Sequence, residues 1–386
     1  KEIQIKNNKV KTFNNINSAN FTLKVWKDGK EGSASSNRLN LDLAKKAIKI
    51  MKNNANKEYF HGIPNLEKYK KPKVFDKSLE ELDENNLIED AKEIINKINH
   101  DDVIVAEGSL SSSINESSII NSNGIELNEK SSLFSIGIES VAKKNGNVSS
   151  WYESDEKINY FNDFGNNINE KTLFYLNKKK YEEDTKAVIL SPEVFSQLLH
   201  HSFLSNFNGK NVEKHKSLFC DKLNQNIIDE NLNIFDDGLR DKAIGSFSFD
   251  DEGTPSQNTT LVEKGKLKHF IYDFNTAIHN NTESTGNSSN GDIDFSNIII
   301  EGKENNVDDA IFVESIIGAH LGNSLTTDFS VNAEHATFDD KPVSGIMISG
   351  KVIDVLSNVL SIGKKQEEKN GIITGNFASD KINIIN

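Results

Sequence analysis

Two adjacent histidines, His200 and His201, close an amphipathic stretch that begins at Ser191, and His215 and the single cysteine, Cys220, follow five residues apart from each other. Histidine and cysteine are zinc ligands, but a zinc site needs several of them converging on one point. Hydrolysis also needs a base beside the metal-bound water. The pattern here supplies neither. Neighbouring helix positions point ~100° apart, so His200 and His201 do not easily bind one ion. No Glu stands beside either, and no further His lies three to five residues on. The plain alternative puts one of them at the core edge and the other in solvent. His215 and Cys220 have no clear partners, and His320 and His335 read as polar loop or strand residues.

Other chemistries fare no better. Asp250-Asp251-Glu252 and Asp339-Asp340 are acidic, but neither sits in the 12-residue loop of an EF-hand, and turn stabilisation through side-chain to backbone hydrogen bonds explains them. Gly286 and Gly291 lack the Lys and the helix start of a phosphate loop. Gly245-Ser246 lacks the second Gly of a nucleophile elbow.

The elements that would carry these residues read as α+β. Glu2 to Trp26 predicts a strand pair turning at Lys6-Asn7-Asn8-Lys9, with Asp28-Gly29 as a second turn. Asn40 caps a predicted helix over Leu41 to Met51, where Leu43, Ala44, Ala47, Ile48 and Met51 share a face. Asn53 to Asp76 reads as an irregular surface connection. Ser78-Leu79-Glu80-Glu81 has capping-box spacing, and Leu87, Ile88, Ala91, Ile94, Ile95 and Ile98 form the apolar stripe of the next helix. From Val103 to Ser154 the chain predicts an antiparallel meander with hairpin signals at Asn123-Gly124 and Asn145-Gly146. A helix near Asn169 to Leu176 and a strand over Ala187 to Leu190 follow. Ser191-Pro192-Glu193 opens the histidine-bearing helix with a capping hydroxyl and Pro in the first turn, and Val194, Phe195, Leu198 and Leu199 face the core. Phe247 and Phe249, alternating with Ser246 and Ser248, predict a strand, and Lys264-Gly265 a hairpin. Lys351 to Leu360 predicts a short helix ended by Gly363. The expected domains are 1–190, α+β, in parts 1–76 and 77–190, then 191–386, a β-rich mixed and partly barrel-like unit.

The chain has 386 residues, 35% hydrophobic and 27% charged, a polar but globular composition. Its net charge of −13 argues against a nucleic-acid partner. The longest basic run, Lys178-Lys179-Lys180, reads as a solvated loop. A single cysteine permits no intrachain disulfide and suits a reducing compartment, so the cytoplasm is expected. No apolar run approaches the ~18 residues of a membrane span, and the first residues do not read as a signal peptide.

The order of several weak motifs is more telling. Asp236-Asp237-Gly238 is followed by Asp250-Asp251-Glu252-Gly253-Thr254-Pro255, then by Ser284-Thr285-Gly286-Asn287. Gly318-Ala319-His320, Asp328-Phe329-Ser330 and the run ending at Gly350 come later, and Asn121-Ser122-Asn123-Gly124 comes earlier. Together they resemble the TldD/PmbA family, also called TldD/TldE, from about Asn40 to Gly363. The resemblance implies an α+β first domain and a β-rich second one. It also implies a zinc peptidase in which the TldD type carries His-Glu-x-x-x-His on the helix matching Ser191 to Phe207 and a late cysteine. This chain reads Leu199-His200-His201-Ser202-Phe203-Leu204-Ser205-Asn206 there, and has no cysteine near Ser361 to Lys365. It therefore looks like the TldE (PmbA) type. The expectation is a subunit that is not itself catalytic, holds no metal, and pairs with a zinc-bearing TldD-type subunit, or with itself, around a peptide substrate. A metallopeptidase in its own right, using His200, His201, His215 and Cys220, is the alternative. The family's association with DNA gyrase gains no support as direct DNA binding.

Overall fold

The structure is a computed structural model and describes residues 1–54, 62–183 and 185–386. The first part is built on a five-stranded antiparallel sheet in the order Val10–Asn14, Glu2–Lys6, Val103–Ile120, Glu126–Lys144, Asn147–Lys157. Along Glu126–Lys144 every second residue from Ser132 to Ala142 is buried, because alternate side chains point to opposite faces. Asn145-Gly146 makes the tight turn expected of it, both residues having positive φ (52° and 85°). Asn123-Gly124 instead sits in a longer loop, where Asn121 Oδ1 accepts from the N–H of Asn123 (2.9 Å) and of Ile125 (3.1 Å).

The buried face of this sheet is covered by the helices Glu84–Ile98 and Ile168–Phe174. Leu87, Ala91, Ile94, Ile95 and Ile98 are buried, as the stripe predicts. The capping box, however, belongs to Asp83 and Asn86. Ser78–Glu81 is a single short turn whose cap makes no side-chain bond. The hairpin Phe21–Lys27 and Lys30–Ser36 stands apart and packs on the helix Leu41–Asn53, which Asn40 caps through Leu43 N–H (3.0 Å). Helix and hairpin come so close that a Cβ on Gly32 would lie 2.1 Å from the Ala47 carbonyl oxygen. Ile48, placed on the packing face by its spacing, is 39% exposed, because the hairpin lies over the side of the helix that carries Leu43, Ala47 and Ile50. Residues 62–76 contain no helix or strand. The remainder of the predicted connection includes 55–61, outside the described residues.

The second part holds two open mixed sheets. One has six strands in the order Lys266–Leu267, Asn258–Glu263, Asn233–Asp237, Ile298–Glu301, Ile372–Thr374, Glu367–Lys369. The other has nine, running Val359–Ile362, Phe377–Ser379, Ala187–Leu190, Ala310–Ile317, Asp328–Phe338, Lys341–Ser344, Lys179–Lys180, with Met347–Lys351 beside Asp328–Phe338 and Asn383–Ile385 beside Met347–Lys351. Three pairings are parallel, so the sheets are mixed as expected, but neither closes into a barrel. One large core lies against them, including Phe195, Phe203, Phe207, Phe219 and Phe377.

Two local readings are corrected. Residues 245–249 form no strand; only the bridge Phe249–Pro255 remains. Here the serines are buried and Phe247 is half-exposed, because Ser246 and Ser248 are held by polar partners rather than by a strand ladder. The helix predicted over Lys351 to Leu360 stops at Leu356, and Val359–Ile362 joins the nine-stranded sheet, which takes the β-branched and leucine residues there for pairing. Gly363 ends that strand, not a helix.

Candidate functional site

The helix Pro192–Ser202 carries the two adjacent histidines weighed in the sequence as metal donors. Ser191 Oγ accepts from Val194 N–H (3.2 Å), and Val194, Phe195, Leu198 and Leu199 are buried, with Phe195 stacked on Phe377 at 4.1 Å. A neighbouring face presents Glu193, Ser196 and His200, one helical turn apart. It docks on the turn at Asn370: His200 Nε2 donates to the Asn370 carbonyl (2.6 Å), and Asn370 Nδ2 donates to Ser196 Oγ (2.9 Å) and to Glu193 Oε1 (3.4 Å). His200 Nε2 is therefore protonated and committed to a carbonyl, which leaves Nδ1 as the ring's one possible metal donor.

His201 faces elsewhere. Burial, then the neighbouring His200 and His320, lower its pKa. His215 sits in a left-handed turn (φ 53°) after the short helix Gly209–Glu213, and Cys220 Sγ points at the Val212 carbonyl (3.5 Å). Among the described residues, no three His, Cys, Asp or Glu side chains are grouped so that they could hold a metal ion. His200, His201, His215 and Cys220 are not brought together, so the donor set of a zinc site is not assembled here.

A cleft of about 310 Å³ opens beside Glu193, between the turn Glu368–Asn370 and the free edge of Asn147–Lys157, including Tyr152, Asp155 and Glu156. Lys369 Nζ crosses it to the Ser154 carbonyl (2.8 Å). Burial pushes the Glu368 carboxyl up against the pull of the Ile244 N–H, and Asp155 and Glu156 push it further. None of these residues was singled out from sequence. They come from distant segments, and no local spacing marks them.

The stretch from Asp236 to Asn287 proves to be a buried polar frame. Asp236 accepts from Ser296 N–H (2.8 Å), Ser296 Oγ (2.7 Å) and Asn287 Nδ2 (2.6 Å). Asp250 accepts from the N–H groups of Glu252 (2.9 Å), Thr254 (2.9 Å) and Ser288 (3.0 Å). Burial outweighs these bonds and pushes Asp236 up to about 6 and Asp250 to about 7. Glu252, also raised by burial, accepts from Phe274 N–H (2.9 Å). Asp237 holds Leu239 N–H (3.1 Å), and Asp251 holds Asn290 N–H (2.6 Å). Thr285 Oγ1 accepts from Tyr272 N–H (2.7 Å). A Cβ on Gly286 (φ 69°) would meet the Pro255 carbonyl at 2.3 Å, and one on Gly238 would meet Ser256 Oγ at 2.0 Å. Gly253 lies against Ile125 of the first part, and Ser248 N–H donates to Glu129 (2.9 Å), so the frame also joins the two parts. In the nine-stranded sheet Asp328 pairs with Lys351, buried Phe329 with Gly350, and Ser330 with Ser349.

A second junction involves His335, which is buried. Its Nδ1 accepts from Ser315 Oγ (2.6 Å) and its Nε2 donates to the Ser150 carbonyl (2.8 Å), tying the nine-stranded sheet to the five-stranded one. Burial, with Lys178 and Lys171 nearby, lowers its pKa to about 4, so it is neutral. It packs on Trp151 and Tyr175, and Tyr175 donates to Glu314, which also binds Lys171.

Models of the PmbA/TldA metallopeptidase match this chain in three parts: domain 1 over residues 1–55, the central domain over 77–173 and the C-terminal domain over 183–386. An uncharacterized protein of Methanocaldococcus jannaschii is 30% identical over 364 residues, 89% of this chain and 84% of that one. A metalloprotease PmbA homolog of Buchnera aphidicola is 27% identical over 233 residues, 57% of this chain and 50% of that one. The structure of TldE from Thermococcus kodakarensis superposes with a TM-score of 0.90 at 22% identity, over 100% of this chain and 94% of that one, a likeness of fold. The chain belongs to the PmbA/TldD family of metallopeptidase-like proteins.

Proposed function

We propose that this chain is the TldE/PmbA-like subunit of a two-subunit peptidase, not catalytic itself, and that it helps to form the chamber in which a TldD-type partner cleaves peptides. One observation carries the reading. The helix Pro192–Ser202 keeps its cap, its buried face and its docking, yet its polar side offers no convergent ligand set: among the described residues no three His, Cys, Asp or Glu side chains are grouped so that they could hold a metal ion. A hydrolytic site needs a metal-bound water and a base next to it. The architecture without that donor set fits a structural half, and the likeness in fold to the Thermococcus TldE supports it. The zinc would sit in the partner, the substrate would be a peptide or small protein, and the assembly would be a heterodimer, or a homodimer when the partner is lacking. The cytoplasm is the compartment this reading assigns. Among the described residues no helix is long and apolar enough to cross a membrane.

Metal content tests the reading. Chain purified without a histidine tag and without a partner is expected to carry far less than one zinc per chain by elemental analysis. About one zinc per chain, lost in His200→Ala or His201→Ala, would overturn it.

A further inference from the structure

A second recess, of about 500 Å³, lies apart from the helix Pro192–Ser202, between the Asn145-Gly146 turn and the segment Tyr175–Lys178; Asn147, Val148, Tyr175, Leu176, Asn177 and Lys178 line it. Lys178 is the unusual member. It is half-buried; its ammonium donates to the Glu334 carbonyl and lies 5.1 Å from the centre of the Tyr175 ring. It forms no ion pair among the described residues; burial lowers its pKa, and the Glu334 charge, beyond ion-pair distance, offsets this only in part. Asn177 contributes an amide Nδ2 that has no acceptor among the described residues; its Oδ1 takes only a long bond from Asn147 Nδ2 (3.4 Å). Lys179 and Lys180 continue from the rim as an exposed edge strand, also without ion pairs among the described residues. This is the longest basic run of a chain with net charge −13.

We propose that this recess binds the carboxylate side chains of an acidic peptide, with Lys178 as the charge partner, Asn177 as a hydrogen-bond donor, and Lys179 and Lys180 attracting further acidic residues. The donor set selects the chemistry. One ammonium and amide donors balance a monoanion, whereas a phosphate dianion is better met by the fork of an Arg, and none lines the recess. The apolar walls, Val148 and Leu176, suit the methylene stem of a glutamate. The site does not depend on the metal reading of the helix Pro192–Ser202.

Tryptophan emission of the full chain provides the readout, because Trp151 stacks on Tyr175 at 5.7 Å with the rings 3° from parallel. Tetraglutamate, tetraglutamine and inorganic phosphate are titrated at low salt. A saturable change is expected with tetraglutamate alone, weakened at least tenfold in Lys178→Gln and in Asn177→Asp. The second variant places a like charge at an exposed position and leaves the core alone, so it decides the matter if Lys178→Gln fails to fold. No saturable response to tetraglutamate, equal affinity in Asn177→Asp, or phosphate or tetraglutamine binding as tightly as tetraglutamate would each overturn the proposal.

Discussion

The polar face of the helix Pro192–Ser202 and the polar frame from Asp236 to Asn287 both hold polar side chains that stand out in the sequence, and use them in opposite ways. On the helix, His200 and His201 are exposed and diverge. In the frame, Asp236 and Asp250 are buried and each carboxylate holds three donors. The residues that identify the family by eye are thus mostly ones that build and join its two parts. Chemistry, where it exists, needs convergence in space, and convergence is what the helix lacks. Two places of equal note in the sequence therefore differ sharply in what their loss would do.

The largest effect is expected in the frame. Asp236→Ala leaves three buried donors without their acceptor and should cost about 3 kcal/mol or more, read from the denaturant midpoint. A loss under about 1 kcal/mol would show that the frame is not holding the fold.

The same two carboxyls set a pH dependence. Both have folded-state values above the ordinary 3.8 of a free Asp, about 6 for Asp236 and about 7 for Asp250. The folded protein therefore holds protons that the unfolded chain has released. Their contribution to stability is full below about pH 4 and is lost as the pH rises through about 6 and 7. Subtracting the unfolding curves of Asp250→Asn from those of the parent should isolate a component that falls over this range; a component rising with pH would reverse the assignment.

His335→Ala should come next, at about 2 kcal/mol, since two hydrogen bonds and the packing on Trp151 and Tyr175 go together. Limited proteolysis between the two parts should quicken as well. His200→Ala should be the smallest, within about 0.5 kcal/mol, because an exposed ring gives up one bond to Asn370. A cost for His200→Ala equal to that for Asp236→Ala would erase the contrast.

Local chemistry was legible in the sequence wherever one residue decides its neighbours. Asn40, Ser191, Pro192, Asn145-Gly146 and Lys264-Gly265 all act as their types dictate. The stripe from Leu87 to Ile98 was legible because a helix repeats its pattern over several turns. Where tertiary partners decide, the reading failed. Ser246 and Ser248 are buried because Arg240 and Glu129, far off or out of register, receive their bonds, and alternation with Phe247 and Phe249 imitated a strand. Val359 to Ile362 left the predicted helix because the strand Phe377–Ser379 pairs with it. Of the candidate site, the lack of a Glu beside His200 or His201 was readable residue by residue. The cleft of Glu193, Glu368 and Asp155 was not, since only the fold brings those segments together.

This chain and a TldD-type subunit from the same organism are purified separately, then mixed, and cleavage of an unstructured peptide is followed with and without a chelator. No cleavage by this chain alone is expected, with co-elution of the mixture on size exclusion and cleavage faster than by the TldD-type subunit by itself. Chelator-sensitive cleavage by this chain alone, or a mixture that neither co-elutes nor gains activity, would contradict it.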